Sequence, residues 1–70
     1  MMPVILTEIG EENTIKKIGG SPEVRKHLEH LGFVVGGSIT VVSRLGGNVI
    51  VSIKDSRIAL SGETAKRIFV

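Results

Sequence analysis

Apolar residues in the second half of the chain recur at the spacing of β-strands. Ile39 and Val41 alternate with Thr40 and Val42 in Ile39–Arg44, and Val49, Val51 and Ile53 alternate with Ile50, Ser52 and Lys54. Ile58 and Leu60 repeat the pattern within Arg57–Leu60. A period of two places each set on one face of a strand, so Ile39, Val41, Val49, Val51, Ile53, Ile58 and Leu60 are predicted to point inward. Gly46-Gly47-Asn48 supplies residues that tolerate positive φ and predicts a hairpin turn, and Asp55-Ser56 predicts a second turn. Ser61 suits the N-cap of a helical turn over Gly62–Lys66, after which Ile68-Phe69-Val70 predicts a closing strand. Short strands at this density predict a small closed barrel whose loops leave little room for catalytic equipment.

The first half is less regular. Val4–Leu6 predicts a short strand or extended entry, and Gly10-Glu11-Glu12-Asn13 a turn. Thr14–Ile18 has the composition of a strand, but Ile15 and Ile18 have opposite parity. A bulge or bend between them would turn both toward the core. Residues 22–31 predict an α-helix. Ser21 suits the N-cap and Pro22 the first helical position, while Glu23 favours the positive end of the helix dipole. Val24, Leu28 and Leu31 fall at i, i+4 and i+7, and Gly32 is placed to end the helix with positive φ.

Composition narrows the functional classes. Seventy residues make a single domain, residues 1–70, with a small core. There is no Cys, so no thiolate metal site and no disulfide, and no apolar run approaches the ~20 residues of a membrane-spanning helix. Met1–Leu6 lacks a basic segment and meets Glu8, a pattern unlike a signal peptide. Nine Lys/Arg against seven Asp/Glu give a net charge of +2, spread along the chain, whereas tight nucleic-acid binders concentrate charge on one face. No nucleophile has a base beside it and no acids pair; Asp55 and Ser56 read as turn residues. The chain is therefore read as a module that touches a partner, not as an enzyme.

Leu28-Glu29-His30-Leu31-Gly32-Phe33-Val34-Val35-Gly36 resembles the "RL-x-x-LG-Φ-x-P-G" signature of the ferrous iron transport protein A (FeoA) family. The resemblance continues through Ile39–Val42, the Gly46-Gly47 turn, the strand ending at Ile53, Ile58-Ala59-Leu60 and the terminal Ala65–Val70. Upstream, Leu6 to Gly10 with Ile15, Ile18 and Gly20 resembles the family's opening. His27 stands where the family usually has Arg, His30 where an acid is common, and Val35 where Pro is usual. The resemblance implies a mostly β fold: an SH3-like β-barrel with an inserted helix. It also implies a cytoplasmic accessory protein of ferrous iron uptake, without a cofactor, whose partner is a ferrous iron permease carrying a GTP-binding domain. The membrane would then be reached only through that partner. The same fold in iron-dependent repressors implies an alternative, a metal-responsive regulatory module.

Several residues are candidates for contact. Val42 and Ile50 are apolar at positions of outward parity. They form either an exposed patch for a partner or a second small core under the helix or termini. Arg25, His27 and His30 on the helix, with Arg44 and Arg57 near the turns, would add polar contacts. Glu23, His27 and His30 lie at i, i+4 and i+7; they are either a solvated flank or a partial set of ligands for a divalent metal. Gly19-Gly20-Ser21 lacks the Gly-Lys-Ser/Thr of a P-loop and reads as a turn into a capped helix. Phe33 and Phe69 are the only aromatics, too few for a proline-peptide groove or for base stacking, and Phe33 is read as core. Exposed strand edges leave self-association open.

Overall fold

Two antiparallel sheets enclose one apolar core in a computed structural model that describes residues 1–70. A 3-10 turn, Val4–Leu6, opens the chain. Strands β1 (Glu12–Thr14) and β2 (Lys17–Ile18) precede helix α1 (Pro22–Leu31). Strands β3 (Ser38–Leu45), β4 (Asn48–Ile53) and β5 (Ser56–Ser61) follow, then the single turn α2 (Gly62–Ala65) and strand β6 (Ile68–Phe69). One sheet runs in the order β1-β3-β4-β5 and the other pairs β2 with β6. The architecture is mostly β and SH3-like, but the two sheets are not joined by hydrogen bonds into the closed barrel expected. α2 carries the chain from one sheet to the other instead.

The inward set is as the alternation predicts. Ile39, Val41, Val49, Val51, Ile53 and Leu60 are buried with Val4, Ile15, Leu28, Phe33, Ala65, Ile68 and Val70, and Ile58 packs half-buried against them. At ~25 cal/mol per Å2 of buried apolar surface, this aliphatic cluster is the main stabilising term, since the chain has no disulfide.

Four local readings change. The turn expected over Gly10–Asn13 ends before Glu12, because Glu12 and Asn13 already pair with Thr40 and Ile39 as part of β1. Val4–Leu6 is a 3-10 turn, not a strand: it buries Val4, and Thr7 closes it, its backbone N–H and its Oγ1 both donating to the Val4 carbonyl. The segment read as one bent strand is two, because Ile15 exchanges bonds with Gly36 and Gly37 while Lys16 donates to Phe69. The break turns Ile15 fully inward and leaves Ile18 half-buried. The second hairpin turn is Lys54-Asp55, closed by Ile53 opposite Ser56, one residue earlier than expected.

α1 has the predicted bounds. The Ser21 hydroxyl accepts from the Val24 amide at 3.3 Å, Pro22 occupies the first turn, and Gly32 ends the helix at φ 106. Gly32 donates to Glu29 and Phe33 to Leu28, each at 3.0 Å, the paired bonds of a Schellman motif. Leu28 is fully buried and Val24 half-buried, but Leu31 is 37% exposed, so the apolar stripe turns out of the core at its last member.

Candidate partner-binding surface

The Schellman bonds deliver Phe33 directly beneath α1, where its ring is fully buried. The chain then reverses. Gly37 donates to Val34 at 3.0 Å with Gly36 at φ 92, the arrangement of a type II turn. Gly36 donates to Ile15 and Ile15 donates to Gly37, both at 2.8 Å, so the turn is clamped to the break between β1 and β2. Held this way, Val34 and Val35 project outward, Val35 with 65% of its surface exposed.

Between this turn, α1 and β2 lies a cleft of about 450 Å3 lined by Ile18, Arg25, Glu29, Phe33, Val34 and Val35. Its lining is mostly apolar, with the fully buried Phe33 behind the exposed Val34 and Val35. Arg25 and Glu29 stand one helical turn apart yet form no ion pair; the molecule's one salt bridge joins Lys66 to Glu63. Both charges are thus free for a ligand. The cleft has no nucleophile and no paired acids: it offers apolar burial flanked by one positive and one negative group.

Of the residues singled out in the sequence, Arg25 lines this cleft. His27, His30 and Glu23 are exposed on α1, and no three His, Asp or Glu side chains of the chain come together as a metal-holding group. A bulge between Val41 and Ser43 pairs Ile50 with Ser43, so Val42 is the extra residue of the bulge and not the direct partner of Ile50 across the β3–β4 hairpin. Both are half-buried, between the exposed patch and the second small core that their parity left open. Arg44 turns back onto its own chain, where its Nη2 donates to the Ile5 carbonyl at 2.8 Å and to the Thr7 carbonyl at 2.6 Å. Arg57 is exposed on β5.

The sequence reading missed Ile18, Glu29, Val34 and Val35. A signal was present: Phe33-Val34-Val35 are three apolar residues after a helix-ending glycine, and a tight turn cannot bury all three.

The family model for the FeoA domain matches residues 2–70. A protein of Methanocaldococcus jannaschii provisionally named Fe(2+) transport protein A is 33% identical over all of this chain and 85% of its own length. The crystal structure of an iron uptake regulatory protein (FeoA) superposes with a TM-score of 0.86 at 25% identity, covering 96% of this chain and 89% of that one. A manganese-dependent transcriptional repressor shares the fold, with a TM-score of 0.85 at 19% identity over 94% of this chain and 38% of the repressor.

Proposed function

We propose that this chain, which belongs to the FeoA family and with it to the proteins of Fe(2+) transport, is a small cytoplasmic adaptor for a ferrous iron permease. Its partner is the permease's GTP-binding region, and its docking site is the cleft of Ile18, Arg25, Glu29, Phe33, Val34 and Val35. One observation carries the reading. The chain's one sizeable concavity combines solvent-exposed aliphatic walls with two unpaired charges of opposite sign. Such a cleft takes an apolar side chain on a segment that also presents a complementary charge pair. No helix of the chain is long and apolar enough to cross a membrane, which suits a protein that reaches the transporter through its partner.

Docking regulates the permease only if the adaptor binds one conformation of that partner more tightly than another. Val35→Asp tests the site. Val35 is largely exposed, so the thermal transition should hardly move, while affinity for the GTP-binding region should fall at least about tenfold, as for an anchor at an interface centre. Undiminished binding by Val35→Asp, with loss in Val42→Asp, would move the site to the outer face of the β3–β4 hairpin.

A further inference from the structure

We infer that the outer edge of β5 is a self-pairing surface at which two copies of this chain join antiparallel about Ile58. The other sheet edges are shorter, closed or blunted: β3 runs past β1 only over Val42–Leu45, where it is bulged and Arg44 folds back onto the N-terminal turn. β1 has three residues and begins with Glu12; β2 has two and begins with Lys17. The free side of β6 is occupied by the N-terminus, with Pro3 bridged to Phe69 and Met2 exchanging bonds with Val70. β5 alone presents a six-residue edge, paired on one side only. It lacks the usual protections of an edge strand: it has no proline, its register with β4 is unbroken, and it carries one charge, Arg57.

The hairpin fixes which groups face outward. A two-residue turn is closed by a hydrogen-bonded pair, here Ile53 and Ser56, so Ser56, Ile58 and Leu60 bond to β4. The amides and carbonyls of Arg57 and Ala59 therefore point away from the sheet, and no other backbone or side-chain group bonds them. Ile58 faces inward but is half-buried, whereas Leu60 is 5% exposed, so the core is open at this edge.

A second copy related by a twofold axis through Ile58 fits this edge. Arg57 of each copy then faces Ala59 of the other and exchanges both bonds, satisfying all four groups on each strand. The two Ile58 side chains meet at the axis and cover the opening. Arg57 never opposes Arg57, and Ala59 leaves room for it. The two four-stranded sheets become one. β5 is only about 20 Å long, and one edge-to-edge strand pair of that length buries less than the ~800 Å2 per partner of a standard interface, so the dimer is weak and concentration-dependent. The inference does not depend on what occupies the cleft.

Sedimentation equilibrium from about 10 µM to about 1 mM tests it. The wild-type chain should pass from its 7.5 kDa monomer to a dimer. Ala59→Glu, placed opposite Arg57, should tighten the dimer and Ala59→Lys should loosen it, with about a tenfold difference in dissociation constant between them. Ala59→Pro removes only the outward amide and should abolish association while the amide spectrum stays folded. A chain that remains monomeric throughout overturns the inference. So do Glu and Lys variants that shift the equilibrium in the same direction, or a proline variant that is folded and dimerises as well as wild type.

Discussion

Arg44 shows how one residue's role is set by its neighbour's backbone. By simple alternation it shares the outward parity of Thr40 and Val42. The bulge at Val42 resets the count, so that Arg44 pairs with Val49, an inward residue, and reaches the carbonyls of Ile5 and Thr7. It thereby ties the N-terminal 3-10 turn to the edge of the main sheet. Arg44→Ala should cost about 1–2 kcal/mol in urea unfolding, the range for charge-assisted bonds that are partly exposed, and Arg44→Lys should recover only part of it. Lys54 is the chain's one non-glycine residue at positive φ, 49°, in the β4–β5 turn. Lys54→Gly should relieve that strain and raise stability by about 0.5–1 kcal/mol, measured the same way. Neither role was legible in the sequence. A bulge leaves hydrophobic alternation intact on both sides of itself, and a lysine gives no sign of left-handed backbone.

Among elements, legibility followed the strength of the local signal. α1 was readable to the residue because Ser21 caps its start, Pro22 presets φ at the first helical position and Gly32 supplies the left-handed end, all local effects that the sequence specifies. The β3–β4–β5 meander was readable from its period of two. Val4–Leu6 was not, since three apolar residues carry no period, and the 3-10 turn buries only Val4 fully. The Val34–Gly37 turn is the element that shapes the cleft. Its second position, Val35, is the one a type II turn fills most readily with proline, which is also the residue the FeoA signature has there. The Val35 amide makes no backbone bond. Val35→Pro should therefore raise stability by about 0.4–1 kcal/mol in thermal or urea unfolding and leave the spectrum of α1 unchanged.

For the molecule as a whole, core and cleft share one residue. Phe33 is the largest fully buried side chain and also borders the cleft from within the core. Phe33→Ala should cost about 3–5 kcal/mol, and a domain of this size has only about 3–5 kcal/mol to lose. Circular dichroism should find that variant largely unfolded at room temperature. The Val35 side chain, by contrast, is 65% exposed and belongs to the surface. The mostly β class was legible from aliphatic spacing, whereas the SH3-like arrangement was implied by the FeoA resemblance and the separation into two sheets was not legible. The site was only partly legible: Arg25 was named for its place on an exposed helix, while the cleft depends on a turn clamped to Ile15, a contact between segments far apart in sequence. The most direct test of the adaptor reading is a chemical-shift titration of the 15N-labelled chain with the GTP-binding region of a ferrous iron permease. Shifts concentrated on Ile18, Arg25, Glu29 and Phe33–Val35 are predicted. Shifts confined to the outer face of β3 and β4, or a spectrum that does not move, would contradict it.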